Sequence, residues 1–409
     1  MNVLHIVGGK LTGGAARGAY WLHHGLKEIG VDSWILTNSR QTLGDDTVVS
    51  TSRTKMGRLL NKINLHIEAL LLAPYAKRQR ITFSTGLTGF DFTKTEVYHR
   101  AQVIHLHWIN EGFINIRHLS KVNKPIIWTM RDMWSFTGGC HYTLSCEQYL
   151  SGCGRCPHLG SKTSADLSRL VWKRKRKFLP QRMHIVGISQ WLSDCAQSSL
   201  LFQNFKIRTI QNNINIRDFF PIEKQMARRV LGLPLDRPVV LAGAQRLDDD
   251  FKGFPTFLKA LGHLKGRPFL LFFGNLDRVS LNCLEHDHRH LGFLTEPVLL
   301  RLAYSAADVF VSSSHMEAFG KTLAEAMACG TPAVCFDATG PRDIVDHQVN
   351  GFRARPFFPE ELAAGIDWVL DHSTPAVLAR NAREKAERHF DSKVVSEIYS
   401  EIYNEVFLS

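Results

Sequence analysis

Glu317 and Glu325 are carried by the run Glu317-Ala318-Phe319-Gly320…Glu325. Phe319-Gly320 opens a helical pattern that runs to about Cys329, and Gly330 and Pro332 stop it. A helix N-terminus presents unpaired N–H groups and the positive end of a dipole, which suits phosphate. A carboxylate at sugar-hydroxyl distance from that phosphate suits a ribose or a hexose. The competing reading is structural, since acidic residues are common near helix starts. Arg246 and Lys252-Gly253 lie six residues apart, with Lys252-Gly253 at another helix start. Two cations beside helix N–H groups suit a diphosphate and its charge as a leaving group. The competing reading is a surface Arg and Lys in a basic chain. Asp248-Asp249-Asp250 reads as a solvated acidic loop rather than a metal site, because three adjacent side chains cannot converge on one ion.

A second group of reactive side chains lies earlier. His105 and His107 sit two residues apart in VIHLHW, on one face of a strand. Arg131-Asp132 follow the strand PIIWTM, at the end where open parallel sheets bind ligands. Cys140, Cys146, Cys153 and Cys156 fall within one short segment. In a reducing compartment four such thiols fit tetrahedral zinc better than disulfides, with His141 and His158 as alternative ligands. Free or redox-active thiols and an iron–sulfur cluster are the other readings. Cys195, Cys283, Cys329 and Cys335 are scattered in apolar settings and read as buried thiols.

Positioning these groups takes an α/β framework. Val3–Val7 reads as a buried strand and Gly8–Ala15, with Gly13-Gly14, as a glycine-rich loop. A helix to Gly30 and a strand at Trp34–Thr37 follow. The loop lacks the full dinucleotide spacing, so it is either a close backbone approach to a ligand or a plain turn. Strands are expected at 103–108, 125–130 and 185–189, and residues 207–221 read as a linker. Further strands are expected at Val239–Gly243 and Phe269–Gly274, with a helix at Phe254–Gly262 between them. Asp308–Val311 and Ala333–Phe336 flank the Glu317/Glu325 helix as a βαβ unit. The pattern predicts two Rossmann-like doubly wound parallel-sheet domains, at 1–210 and 211–388, with the default ligand site in a cleft between them. Residues 138–160 form a Cys-rich insert in the first. Residues 389–409 form a closing helix whose apolar face is Val395, Ile398, Tyr399, Ile402, Tyr403 and Val406, and it is expected to pack back on the first domain.

The chain has 409 residues, 44% hydrophobic and 22% charged, which describes a globular protein rather than a disordered one. Its net charge of +12 is uneven, since residues 1–210 carry 28 Lys and Arg against 12 Asp and Glu. That half suits anionic partners such as a membrane face, a phosphorylated acceptor or nucleic acid. No transmembrane run and no secretory signal are read, so a cytoplasmic protein, peripheral at the inner face of the membrane, is expected. Residues 55–80 read as a core-packed amphipathic helix with a basic rim, an interfacial membrane helix being the alternative. Lys173–Lys177 reads as a solvated basic helix face rather than a lipid contact.

Gly13-Gly14-Ala15, Arg246…Lys252-Gly253, the Leu291-Gly292-Phe293 turn and Glu317-Ala318-Phe319-Gly320…Glu325 together resemble a retaining GT-B glycosyltransferase of family 4, of the bacterial surface-polysaccharide type. The IQNNINIRDFFP segment resembles that family's linker, departing from it at Gln211 and Asn213. The resemblance implies that Glu325 binds the donor ribose and Glu317 the hydroxyls of the transferred sugar. It implies that backbone at Phe319, Gly320 and Lys321 holds sugar and phosphate. Arg246 and Lys252, helped by Gly13 and Gly14, would hold the diphosphate, and backbone near Phe293 and Leu294 would meet the base. No catalytic metal is implied. One departure matters: the family often has His where this chain has Arg131, and Arg is no base at neutral pH. Arg131 is then read as binding a phosphate or pairing with Asp132, with Asp132, His107 or His141 taking over the catalytic role or the activity being low. His107 and His141 stand on the acceptor side, and the insert adjoins Arg131.

The expected activity is sugar transfer, with retention, from a nucleoside-diphosphate sugar to a saccharide acceptor, lipid-linked in the surface-polysaccharide case. The pathway class is exopolysaccharide, capsule or O-antigen assembly. A GT-B nucleotide-sugar epimerase and a zinc-bearing nucleic-acid-binding protein are the alternatives, and the first reading expects no nucleic acid as partner.

Overall fold

Runs of β-branched and other apolar residues give parallel strands buried on both faces, as strands between helical layers must be. In the computed structural model, which describes residues 1–276, 281 and 284–408, they build two separate sheets. Cys283 lies outside the described residues. The first unit comprises Met1–Gln211 and Val395–Ser409, and the second Asn212–Val394.

The first sheet contains β1 (Asn2–Ile6), β2 (Asp32–Thr37), β3 (Val48–Ser50), β4 (Val103–Leu106), β5 (Ile126–Met130), β6 (Met183–Gly187) and β7 (Ile207–Thr209). All pair in parallel, in the order β3-β2-β1-β4-β5-β6-β7. The order reverses between β1 and β4, the switch point where such sheets bind ligands. β7 corrects the linker reading: Ile207–Thr209 pairs with β6 as an edge strand, and a three-residue strand is too short to announce itself by periodicity.

The helix Ser392–Leu408 belongs to the first unit from Val395 onward. Val395, Tyr399, Ile402, Tyr403 and Val406 are buried against Val3, Leu22, Val103 and Ile127, whereas Ile398 is exposed. Each such burial contributes about 1.5–3 kcal/mol. The tyrosines also carry polar tips inward, Tyr403 Oη to His105 Nδ1 and Tyr399 Oη to Thr129 Oγ1, each at 2.7 Å.

Two basic stretches differ from their sequence reading. The helix Lys55–Leu72 packs a polar face on the unit and leaves Met56, Leu59, Leu60, Ile63 and Ile67 exposed, so it is not a core-packed helix with a basic rim. Within Lys173–Lys177, Lys175 is fully buried. Its ammonium donates to the Trp134 and Thr137 carbonyls and lies over the Trp134 ring. Burial lowers its pKa to about 7.

The second sheet contains β8 (Val239–Arg246), β9 (Phe269–Asn275), β10 (His288–His290), β11 (Val309–Ser312), β12 (Ala333–Phe336) and β13 (Gly351–Ala354). They pair in parallel in the order β10-β9-β8-β11-β12-β13. Its core joins Val240, Phe254, Phe257, Leu270, Phe272, Val309 and Val334. The switch point falls between β8 and β11. Among the described residues no helix is long and apolar enough to cross a membrane.

Candidate functional site

The chemistry-bearing residues of the second unit collect at its switch point. β8 ends in an irregular register against β9 between Gly243 and Arg246, a bulge of the kind that re-aims side chains beside sites. Arg246 follows it, with Nε 3.4 Å from Asp249 and Nη2 3.9 Å from Asp248. Asp248 is buried, which corrects the solvated-loop reading for that residue. A 3₁₀ turn, Asp250–Lys252, then leads through Gly253 into the helix Phe254–Leu261.

This turn is stitched to the loop after β11. The Phe251 carbonyl accepts from His315 N at 2.8 Å, and the Lys252 carbonyl accepts from Ser313 Oγ at 3.0 Å. Thr256 Oγ1 lies 2.9 Å from His315 Nε2. Gly253 makes the approach possible, since it has φ +64° and a Cβ there would lie 2.0 Å from the Ser313 carbonyl oxygen. The Gly253→Ala protein should therefore lose about 2 kcal/mol or more of stability in this unit, read by denaturant unfolding.

The stitching brings the Lys252 ammonium onto the Glu317 carboxylate as an ion pair, both side chains about one-fifth exposed. Gly340 N donates to the Glu317 carbonyl at 2.9 Å, holding the loop from the other side. Gly320, at φ +107°, then starts the helix Lys321–Ala328 with no side-chain cap. Phe319 is buried. The N-terminal end of that helix, Arg246, Lys252 and Glu317 thus share the C-terminal edge of one sheet.

Glu325 is placed differently. It is buried within the helix, and its carboxylate accepts from Tyr304 Oη at 2.9 Å. Sequence reasoning missed Tyr304, because nothing in Leu300–Ala306 separates a core tyrosine from a carboxylate partner. Phe293 is exposed and Leu294 half-buried, after the Gly292 turn whose carbonyl accepts from Gly274 N.

In the first unit, Gly14 opens the helix Gly14–Glu28, and a Cβ on it would meet no heavy atom within 4 Å. Gly8 is the tight residue of that loop, donating to the Trp108 carbonyl at 2.6 Å. The two histidines of β4 and its end belong to a trio. Strand register sets His5 beside His105, and His5, His105 and His107 bring their ring nitrogens within 4.8 Å of one another. Arg131 Nη2 donates to His107 Nδ1 at 3.1 Å. The His107 proton therefore sits on Nε2 and is donated to His5 Nδ1 at 2.9 Å. Burial lowers the pKa of all three well below the ordinary value, with neighbouring charge in the same direction, so they are neutral. Burial also lowers Arg131, to about 10, and it remains a cation. A neutral core network is thus the setting of Arg131.

Asp132 is bonded to other partners. Its Oδ2 accepts from Trp108 Nε1 at 3.1 Å and lies 2.7 Å from His141 Nδ1, and its Oδ1 accepts from Trp134 N. His141 Nε2 in turn faces Ser84 Oγ at 2.9 Å and Asn110 Nδ2 at 3.3 Å. His141 is thus held as a carboxylate-oriented histidine, and the partners Ser84 and Asn110 carried no sequence signal.

Cys140, Cys146, Cys153 and Cys156 line one small cavity with Phe83, Thr137 and Tyr149. All four are free thiols. They are not among the groups of three or more whose ligand atoms lie within 4.8 Å of one another, whereas zinc–sulfur bonds of about 2.3 Å need sulfurs closer than that. Burial raises the thiol pKa values, to about 12 at Cys153 and about 11 at Cys156. His141 and His158, the alternative ligands, have both ring nitrogens engaged, His158 with Gln79 and the Thr143 carbonyl. Cys329 and Cys335 are buried and Cys195 half-buried.

Comparison with known proteins bears on these placements. Residues 223–388 match the family model described as "Glycosyl transferases group 1". A protein of Escherichia coli K12, provisionally named colanic acid biosynthesis glycosyl transferase WcaC, is 26% identical over 261 residues, 59% of this chain and 60% of its own length. The N,N'-diacetylbacillosaminyl-diphospho-undecaprenol alpha-1,3-N-acetylgalactosaminyltransferase of Campylobacter jejuni is 29% identical over 194 residues, 45% of this chain and 50% of its own. The chain thus spans 60% or less of the length of these relatives. Among solved structures, the sucrose-phosphate synthase of Thermosynechococcus elongatus covers all of this chain and 99% of its own at TM-score 0.70 and 19% identity. Anabaena Alr3699/HepE, solved with UDP and glucose, covers 99% of this chain and 100% of its own at TM-score 0.64 and 18% identity. These likenesses show the fold, a pair of Rossmann-like units of the GT-B class.

Proposed function

We propose, from a second unit that matches the group 1 glycosyl transferases over residues 223–388, that the chain transfers a sugar from a nucleoside-diphosphate sugar to an acceptor hydroxyl. The observation that carries this reading is the Lys252–Glu317 pair ahead of the helix Lys321–Ala328, on the sheet edge where β8 ends in Arg246, at the second sheet's switch point. The reading has the diphosphate between Arg246 and Lys252 and the helix N-terminus, with Glu317 on the hydroxyls of the transferred sugar. Backbone at Phe319, Gly320 and Lys321 holds sugar and phosphate. Glu325 contributes through the ribose, and Phe293 and Leu294 through the base. The bond from the anomeric carbon to the phosphate oxygen breaks as the bond to the acceptor oxygen forms. The acceptor oxygen attacks on the face from which the phosphate leaves, and the departing phosphate takes its proton, so the configuration is retained. The cations stabilise charge that grows on the leaving group, without a catalytic metal.

The acceptor side is read in the first unit, where Arg131 is a cation held by His107 and His141 is oriented by Asp132. The names of the E. coli and Campylobacter relatives support a surface-polysaccharide role and a lipid-linked saccharide acceptor. UDP is the first donor base to try, since the Anabaena neighbour was solved with it. Neither the epimerase nor the nucleic-acid reading finds support in the proteins named above. The experiment is to incubate the purified chain with nucleoside-diphosphate sugars and measure release of free nucleoside diphosphate. Release from one of them with a saccharide acceptor present supports transfer. No release from any donor, or conversion of the donor to its epimer, sinks it.

A further inference from the structure

The helix Lys55–Leu72 is built inside out. Its inward face is Gly57, Asn61, Asn64 and Glu68, at i, i+4, i+7 and i+11. Glu68 is buried, with Oε2 accepting from Thr85 N at 2.7 Å and Oε1 from Thr85 Oγ1 at 2.5 Å. Asn61 Nδ2 donates to Ser52 Oγ at 2.6 Å, and the Asn64 carbonyl accepts from Thr88 Oγ1. Gly57 lies so close to the Thr51 carbonyl oxygen that a Cβ would come within 1.8 Å of it. Four polar or small residues therefore lock the rotation of this helix, and its C-terminal Leu71 and Leu72 pack against the cluster of Cys156 and Leu159.

The opposite face is apolar and open. Met56, Leu59, Leu60, Ile63, Ile67 and Leu70 follow the same helical spacing, at i, i+3, i+4, i+7, i+11 and i+14, with relative exposures from 37% to 63%. An apolar stripe of this length is unusual on a soluble surface and marks a contact. Lys55, Arg58 and Lys62 run along one border of the stripe, and the exposed Lys77, Arg78 and Arg80 follow the helix. Two copies meeting across this stripe would bring these like charges together. An anionic bilayer instead offers acyl chains to the stripe and phosphates to its border.

We propose that Lys55–Leu72 is an interfacial helix by which the first unit docks on an anionic lipid surface, with Met56, Leu59, Leu60, Ile63, Ile67 and Leu70 inserted at the headgroup–acyl boundary. This holds whether or not the donor reading above does. The test is flotation of the full chain with vesicles of pure phosphatidylcholine or of an equimolar phosphatidylcholine–phosphatidylglycerol mixture. The chain should float with the anionic vesicles, and L59Q/I63Q/I67Q should lower that partition at least about tenfold with unchanged thermal unfolding. K55Q/K62Q should lower binding to the anionic vesicles and leave the weak binding to phosphatidylcholine as it is. The proposal is overturned if the parent chain ignores anionic vesicles, or if the triple variant floats equally well. A concentration-dependent dimer that the triple variant abolishes, without vesicle binding, would assign the stripe to a second copy instead. Release of nucleoside diphosphate by a chain that does not float would separate failure here from failure of the transfer reading.

Discussion

The Lys252→Met protein is expected to release nucleoside diphosphate about 10²–10³-fold more slowly than the parent chain, while losing only about 1–2 kcal/mol of stability. The substitution keeps the apolar stem and removes the charge. Lys252 is held where the 3₁₀ turn meets the loop after β11, so its ammonium lies between the candidate phosphate site and Glu317. In the transfer reading that ammonium meets little extra charge in the bound donor and more as the sugar–phosphate bond breaks. Its loss therefore falls on the rate more than on the apparent affinity for donor. The small stability cost follows from the position, since the pair is partly solvated and Glu317 can turn to water. A variant that kept its rate would remove Lys252 from the chemistry and leave it a surface partner of Glu317.

The second large effect is on stability in mild acid. His5, His105 and His107 are neutral in the folded first unit because burial holds their pKa values well below the ordinary one. In the unfolded chain they titrate near 6.5. Below that pH the unfolded state binds protons that the folded state refuses, so stability falls as pH falls, by up to about 1.4 kcal/mol per pH unit per histidine. His23, lowered to about 4 mainly by burial, adds in the same direction until that pH. Asp45 and Asp91, lowered to about 2, contribute only below the ordinary carboxylate range. Acting together, the three withdraw up to about 4 kcal/mol per pH unit below 6.5, a sizeable share of a typical domain's stability. The first unit should therefore unfold at a lower denaturant concentration at pH 5.5 than at pH 7. Seven of the eight tryptophans lie in it, Trp368 being the exception, so intrinsic fluorescence reports its unfolding almost alone. An unfolding midpoint that does not fall between pH 7 and 5.5 would mean that the histidines are protonated in the folded state.

How much of this was legible in the chain follows from how local each signal is. The glycine turns, nine of the thirteen described strands and the Glu317–Glu325 helix are written in contiguous residues and stand within a few residues of their expected places, whereas the short β3, β7, β10 and β13 were not read. Arg246 and Lys252 were readable as cations at strand and helix ends, but the closeness of Lys252 to Glu317 rests on the backbone approach that Gly253 permits, which its place in the motif does not announce. What could not be read is what depends on register and rotation. His5 and His105 are neighbours because β1 pairs with β4 in one register, across a hundred intervening residues. The helix Lys55–Leu72 has the amphipathic period of a core helix, and only the bonds of Asn61 and Glu68 show which face is inside. Glu325 carried a ribose expectation, and its bond to Tyr304 adds a structural role that spacing alone does not separate. The cysteine spacing anticipated that four thiols would meet, and they share a cavity, but spacing does not fix sulfur-to-sulfur distances.

The most direct test of the account is whether the second unit binds a nucleoside diphosphate through Lys252 and Arg246. Isothermal titration calorimetry of the intact chain with UDP, GDP and ADP should give one-to-one binding for one of the three. The Lys252→Met/Arg246→Met protein, still folded by circular dichroism, should bind it at least roughly tenfold more weakly. No heat with any of the three, or equal affinity in parent and variant, would contradict the account.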